Sequence, residues 1–151
     1  METPNKIPFP QANDFEKIIK LLQISDEEVL LNDDALGEYL DGISSRQARY
    51  YIAAAKYIGL VDSEKRFSKL GRKIKNLNEY LQKIELIRLL LSDPVFGKVY
   101  ITEKVMHLSL DTADIAEIIE QEHPGYCEAI YLRRTQTVKK WLGWVKKHLE
   151  N

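Results

Sequence analysis

The stretch SSRQARYYIAAAKYIGLVDSEKRFSKLG, residues 44–71, decides the fold predicted for this chain. Ser44 and Gln47 have the spacing of a capping box, in which side chains satisfy backbone N–H groups at the start of a helix. Apolar residues then recur at helical spacing, and Gly59 is suited to end the helix because glycine readily adopts a left-handed conformation. The following residues, 60–68, indicate a short β-hairpin.

Two helices are predicted before this stretch. Asp14 suits the N-cap of the first, whose apolar residues follow at positions i, i+3, i+4 and i+7. The second begins at Asp33 or Asp34 and ends at an Asp-Gly turn. Helix, turn, helix and hairpin follow one another in this order in a winged helix-turn-helix unit. We therefore predict such a unit over residues 14–77, preceded by a flexible arm over residues 1–13; a helical bundle with a plain loop is the alternative.

Residues 78–151 are expected to repeat this architecture without repeating its sequence. Helical periodicity follows Asn78, an acidic helix is predicted after Asp111, and a basic helix runs to about Leu149. Between them, Val99-Tyr100-Ile101 has the composition of a short strand. The predicted fold class is therefore mainly α with a small β-hairpin, as two winged helix-turn-helix-like units in tandem.

Charge is segregated along the chain, although the formal total is only −1. Residues 44–75 hold nine bases and two acids, and residues 129–151 hold six bases and one acid. Residues 14–43 and 102–128 are strongly acidic. A polyanion responds to the local field rather than to the total charge, so the basic segments favour a nucleic-acid partner. The alternative is that these charge blocks are merely solvated faces.

The outward residues of the two basic helices are the candidate DNA-binding residues. On the first of these helices, the face opposite the apolar stripe offers hydrogen-bond donors and an aromatic ring but no acid, as contacts with phosphates and base edges require. The predicted site comprises Arg46, Gln47, Arg49 and Tyr50 on that helix, Lys65 and Arg66 on the hairpin, and Arg133, Arg134, Thr137 and Lys140 on the last helix. The arginines have an alternative role as partners of the chain's own acids, namely Asp33, Asp34 and Glu38 in the first half and Asp114, Glu117 and Glu120 in the second.

Neither catalysis nor a metal or other cofactor is predicted. A restriction-type nuclease needs a lysine two residues after an acid beside its metal ion, and no lysine of this chain has that neighbour. The single cysteine and three histidines lack the spacing of zinc ligands, and no glycine-rich phosphate loop occurs. Cys127 is expected to be a packed small hydrophobe. Because we find no signal peptide, membrane-length apolar run or cysteine pair, a cytoplasmic location is expected.

Two groups of residues resemble a known module. The first winged helix of a prokaryotic DNA-binding module, which occurs with restriction endonuclease-like proteins, is similar to Ser44-Ser45-Arg46-Gln47, Tyr50-Tyr51, Ala54-Ala55, Tyr57-Ile58-Gly59-Leu60-Val61 and Phe67-Ser68-Lys69-Leu70-Gly71. The second unit of that module is similar to Leu132-Arg133-Arg134-Thr135-Gln136-Thr137-Val138 with Trp141 and Trp144. The resemblance covers roughly residues 14–148. Ser68 departs from the pattern, in which threonine is more usual, but both residues cap helices.

The resemblance implies a non-catalytic protein that binds double-stranded DNA, as an accessory of a restriction or defence system or as a transcriptional regulator. A nuclease or ATPase subunit is then a candidate partner, since this chain lacks the catalytic domain that such proteins often carry. The alternative function is a protein–protein interaction adaptor, because one fold serves many functions. The sequence leaves the oligomeric state open.

Overall fold

The computed structural model describes residues 7–150, which divide into two compact units between Leu77 and Asn78. The elements in chain order are α1 (Phe15–Leu22), a 3-10 helix (Glu27–Leu31), α2 (Asp33–Tyr39), α3 (Ser45–Tyr57), α4 (Lys69–Lys75), α5 (Glu79–Ser92), α6 (Pro94–Lys104), α7 (Thr112–Glu122) and α8 (Glu128–Leu149). The prediction of a mainly α fold is therefore confirmed. No helix in residues 7–150 combines the length and the apolar character that a membrane crossing demands.

In the first unit, α3 packs against α1 and α2. The Tyr51 hydroxyl accepts a hydrogen bond from the backbone N–H of Asp14 at 2.9 Å, which ties the start of α1 to α3. Gly37 allows α2 to approach the turn before α3, because a Cβ there would lie 2.4 Å from the carbonyl oxygen of Ile43. One side of α3 is buried by these contacts, through Ala48, Tyr51, Ile52, Ala54 and Ala55. The opposite side is left to the solvent.

The predicted flexible arm, residues 1–13, is described only from residue 7 onward, and residues 1–6 lie outside the described range. Phe9 and Ala12 are buried. The Phe9 ring meets the Tyr57 ring edge-on, with 5.3 Å between the ring centroids. The described part of this segment is thus packed against the end of α3.

The small β-hairpin predicted at residues 60–68 is wrong. A single isolated bridge between Val61 and Phe67 occurs there, and residues 7–150 contain no strand. Since a wing is a β-hairpin, the two winged helix-turn-helix-like units predicted in tandem are wrong as well.

Local hydrogen bonding explains why the hairpin does not extend. The Asp62 carboxylate accepts hydrogen bonds from the backbone N–H groups of Glu64 at 2.9 Å and Arg66 at 3.1 Å. This side-chain turn reverses the chain within a few residues. Two backbone hydrogen bonds pair its limbs, from the Asp62 N–H to the Arg66 carbonyl at 2.8 Å and from the Ser68 N–H to the Leu60 carbonyl at 2.9 Å. Ser68 then begins α4, since its hydroxyl accepts from the N–H of Gly71 at 2.9 Å. The cap predicted at Ser68 is confirmed.

In the second unit, α6 packs against α5, α7 and α8, and α7 packs against α8. Trp141 is fully buried and stacks on Phe96 with 5.1 Å between ring centroids. The strand suspected at Val99-Tyr100-Ile101 is wrong because α6 includes these residues. Asp93 caps α6 through two backbone N–H groups, and Pro94 occupies the first turn, where its fixed φ favours the helix.

Candidate nucleic-acid interface

The outer face of α3 is positioned by the cap and the buried stripe of that helix. The Ser44 hydroxyl accepts a hydrogen bond from the Gln47 N–H at 3.2 Å, which fixes the first turn. Arg46, Gln47 and Arg49 are exposed on this face and Tyr50 is half-buried. None of the 13 residues of α3 is acidic, so the helix itself contributes no negative charge to this surface.

Arg46 is held along the outer face of α3 by Tyr50, one turn further on. Its Nε donates a hydrogen bond to the Tyr50 hydroxyl at 2.9 Å. The guanidinium also lies over the Tyr50 ring, 5.6 Å from its centroid, within the range of a cation–π contact. No carboxylate of residues 7–150 forms an ion pair with Arg46, so the alternative pairing with Asp33, Asp34 or Glu38 does not occur for this arginine in the described structure.

Arg49 and Arg66, by contrast, are paired with the protein's own acids. Arg49 Nη1 lies 3.2 Å from an Asp33 oxygen, and Arg66 Nη2 lies 3.3 Å from a Glu28 oxygen. Both pairs are accessible to solvent, and exposed ion pairs of this kind contribute only about 0–1 kcal/mol. A phosphate therefore competes with these carboxylates at a small cost.

Further lysines extend the positive surface of the first unit. Lys56 follows Arg49 by seven positions on α3, so helical spacing places it on the Arg49 side of the outer face, where it is half-buried. Lys65 lies in the tight connection after α3 with a positive φ of 62°. Lys69 and Lys73 are exposed on α4. None of these four lysines forms an ion pair with a carboxylate of the described residues, and Lys65 is the one among them that the sequence predicted as a DNA contact.

Lys75 belongs to the same basic segment but has a structural role. Its ammonium group donates to the carbonyl oxygens of Leu22, at 2.8 Å, and Ile24, and it lies over the Phe67 ring. It thereby binds carbonyl groups left without helical partners at the end of α1. Burial lowers the pKa of Lys75, partly offset by Glu27.

In the second unit, fewer of the predicted DNA-binding side chains are exposed to solvent. Arg133 and Lys140 are exposed, whereas Arg134 and Thr137 are buried. The Arg134 guanidinium stacks over the Tyr126 ring at 4.0 Å, and its Nε and Nη1 are enclosed without a hydrogen-bond acceptor among residues 7–150. Arg134 and Thr137 are therefore not available for DNA. Arg134 lies four positions before Val138 and seven before Trp141, so helical spacing places it within the buried stripe of α8. Thr137 lies four positions before Trp141, on the same buried side. The alternative pairing of these arginines with Asp114, Glu117 or Glu120 is also absent from the described ion pairs.

A cavity of about 500 Å³ lies between α7 and α8. Its lining combines small and apolar residues with three acids: Ala113, Ala116, Tyr131, Leu132, Glu117, Glu120 and Glu128. Like charges repel a phosphate, so this side of the second unit is unsuited to a nucleic-acid backbone.

The described residues offer no metal centre. No group of three histidine, cysteine or acidic residues in 7–150 has the proximity that a metal ion needs. Cys127 is exposed at the N-cap of α8, so the expectation that it is packed is wrong. Tyr131, in the first turn of α8, is buried, and its hydroxyl donates to the carbonyl oxygen of His123 at 2.6 Å.

A family model described as a domain of unknown function (DUF7226) matches residues 17–150. The chain belongs to this family. No curated protein and no solved structure matches the chain. The match begins within α1 and ends just after α8, so it covers both units.

Proposed function

We propose that this protein binds duplex DNA without catalysing a reaction, through the outer face of α3 and the lysines that follow it. The observation that supports this most is the acid-free face of α3, on which Tyr50 holds Arg46 in place. An arginine that is already oriented loses less side-chain entropy when it binds a base edge or a phosphate.

The dimensions of α3 suit the major groove. An α-helix with its side chains is about 10–12 Å across, and the major groove of B-DNA is about 12 Å wide. Ala53 lies between Arg46 and Lys56 on the outer face and is only partly buried. Its small side chain permits the helix backbone to approach the bases. Arg46 and Gln47 are suited to hydrogen bonds with base edges, and Lys56 and Lys65 to phosphates.

Fluorescence anisotropy of the full chain with a labelled random-sequence duplex, over a series of salt concentrations, tests this proposal. The logarithm of the association constant is expected to fall with the logarithm of salt concentration, by about 0.9 for each phosphate contact. Arg46→Ala is expected to weaken binding by roughly 5- to 150-fold, as for the loss of one good base contact of about 1–3 kcal/mol. Lys56→Ala is expected to reduce the salt slope by about one contact.

Arg88→Ala is the matched control, because Arg88 is an exposed arginine on α5 with its side chain 73% accessible. It removes the same charge from the second unit, from a residue outside the proposed set of DNA contacts. An affinity for DNA that does not depend on salt would refute the proposal. Equal losses of DNA affinity in Arg46→Ala and Arg88→Ala would refute it as well. Selection of bound sequences then distinguishes a regulator with a defined site from a sequence-independent accessory of a nuclease or defence system.

An interaction adaptor is the second candidate function, favoured by the acidic cavity of the second unit. Glu117, Glu120 and Glu128 form no ion pair with any residue in 7–150, so their charges are available to a basic protein surface. This function predicts no mobility shift of duplex DNA. It also predicts that a co-purifying subunit, such as a nuclease or an ATPase, is lost when Glu117 and Glu120 are replaced by glutamine and retained in Arg46→Ala.

A further inference from the structure

Arg134 is a buried cation whose hydrogen-bond donors are not used within the described chain. It is 8% exposed, and a guanidinium group in a protein stays charged at any ordinary pH. Its Nε and Nη1 are shielded from solvent and have no hydrogen-bond acceptor among residues 7–150. No carboxylate of those residues forms an ion pair with it. Because a buried charge without a counter-charge strongly destabilises a fold, this position favours the binding of an anion.

The Tyr126 ring attracts the charge of Arg134 without satisfying its donors. The guanidinium carbon lies 4.0 Å from the ring centroid, within the range of a cation–π contact. Tyr126 is itself held by Tyr131, whose hydroxyl accepts a hydrogen bond from the Tyr126 N–H at 3.2 Å. A ring face supplies no oxygen acceptor for the N–H groups of a guanidinium, which point outward in its own plane. Tyr126 therefore fixes the position of the charge and leaves the N–H groups for a ligand.

The guanidinium of Arg134 is directed towards the N-terminus of α8. Tyr126, which it contacts, precedes that helix, and Arg134 follows the N-cap residue Cys127 by seven positions, so both are on the same side of the helix. The side chain of Cys127 makes no capping hydrogen bond. The N–H groups of Glu128 and Ala129 have no acceptor among the described residues, and they form the positive end of the helix dipole. Two kinds of positive donor thus meet at this end of α8.

Two acids flank this end of α8, and neither neutralises Arg134. Glu128 lines the acidic cavity between α7 and α8. It follows Cys127 directly, so a rotation of about 100° about the helix axis separates it from the side that carries Arg134. Glu122, the last residue of α7, is exposed to solvent. The positive charge at the N-terminus of α8 is therefore left for an external anion.

We propose that the Arg134 guanidinium and the first-turn N–H groups of α8 form a binding site for a small oxyanion of the phosphate or sulfate type. The oxygens of such an ion accept hydrogen bonds from both kinds of donor. Gly125 and Cys127 are exposed where the ion enters. Because Arg134 is enclosed, the site suits a free ion rather than the backbone of a DNA duplex. This site lies in the second unit and does not depend on the DNA contact proposed for α3.

NMR spectroscopy of the full chain, titrated with inorganic phosphate, tests this proposal. The signals to follow are the backbone N–H groups of Glu128 and Ala129 and the Nε–H of Arg134. All three are expected to shift along one saturable curve with a common dissociation constant. Chloride at the same ionic strength is the reference and is expected to leave the three signals nearly unchanged, because screening by salt does not saturate a single site.

Arg134→Met removes the charge and keeps an apolar side chain of similar length. It is expected to weaken phosphate binding at Glu128 and Ala129 by at least about 10-fold, as for the loss of a hydrogen bond to a charged group. Replacing an unpaired buried charge by an apolar group is often neutral or stabilising, so this variant is expected to keep its helices in far-ultraviolet circular dichroism. Arg133→Met is the matched control, since Arg133 is the exposed neighbour on α8, and its affinity for phosphate is expected to stay close to that of the wild type.

The absence of a saturable phosphate shift in the wild type would overturn the proposal, whether or not Arg134→Met folds. Equal weakening in Arg134→Met and Arg133→Met would also overturn it, because it would indicate a general attraction of phosphate to α8. A short DNA duplex is the last titrant, and it is expected to leave the three signals in place. If the duplex shifts them as phosphate does, the ligand is the DNA backbone and the assignment to a free ion is wrong. Since the phosphate titration contains no DNA, its failure would leave the DNA contact of α3 untouched.

Discussion

Replacing a helical glycine by alanine is expected to change the stability of the second unit in opposite directions at two positions. Gly97 lies in α6 and Gly143 in α8, so both substitutions add one methyl group and gain about 1 kcal/mol in helix propensity. A Cβ at Gly97 would lie 2.4 Å from the carbonyl oxygen of Leu91, whereas one at Gly143 would meet nothing within 4 Å. The space available to the added Cβ therefore decides whether the substitution raises or lowers the free energy of unfolding.

The cost at Gly97 follows from this distance. An ordinary carbon–oxygen contact is about 3.3 Å or longer, so α6 has to move by roughly 1 Å away from a backbone carbonyl that cannot rotate aside. Such a shift loosens the Asp93 cap, worth about 1 kcal/mol, and displaces the fully buried Phe96, for which overpacking costs about 1–3 kcal/mol. After the gain in propensity, Gly97→Ala should destabilise by about 1–3 kcal/mol and Gly143→Ala should stabilise by about 0.5–1 kcal/mol.

Urea unfolding followed by tryptophan fluorescence measures both changes in the same unit. The two tryptophans of the chain, Trp141 and Trp144, both lie in α8, so the signal reports the second unit. An unchanged m-value would show that the denatured state is unaffected. A Gly97→Ala variant as stable as the wild type, or a destabilised Gly143→Ala variant, would refute this account of the α5–α6 contact.

Three further predictions concern polar contacts of the first unit. Burial raises the pKa of Tyr51 in the folded state. Its contribution to the free energy of unfolding is therefore complete below the unfolded pKa of about 10 and is lost as the pH rises through the folded pKa. Urea unfolding at increasing pH should show a smaller loss of stability in Tyr51→Phe than in the wild type. Lys75→Met removes the donor to two carbonyl groups and should cost about 1–3 kcal/mol in urea unfolding, whereas the exposed Lys73→Met should cost less than about 0.5 kcal/mol. The hydrogen bond from Lys20 lowers the pKa of Asp41. In Lys20→Met, NMR titration should show a higher Asp41 pKa than in the wild type, closer to 3.8. The same Asp41 pKa in both proteins would contradict the ion pair.

The candidate site was only partly predictable from the sequence. The outward face of α3 follows from helical periodicity, and Arg46, Gln47 and Arg49 are exposed there. On the last helix the prediction was wrong for Arg134 and Thr137, because their polar character was given more weight than their positions on the helix. Arg134 lies at helical spacing from Val138 and Trp141, and Thr137 lies four positions before Trp141, so the periodicity itself indicated their burial.

The sequence by itself determined the features that depend on neighbouring residues. Asp14, Ser44, Ser68 and Asp111 cap their helices with their own side chains, as their positions predict. These interactions span two or three residues, so the residue type and its spacing are sufficient to predict them. The division of the chain into acidic and basic segments is likewise a property of the sequence alone.

Only the tertiary structure decided which charges are left for a partner. Arg49 meets Asp33 from 16 positions away, and Arg66 meets Glu28 from 38 positions away, whereas Arg46 meets no acid of the described residues. These outcomes depend on how the helices pack, and packing arises from the summed burial of many apolar side chains rather than from any local pattern. The sequence therefore determined where positive charge is concentrated, and the packing of the helices determined which part of it is exposed and unpaired.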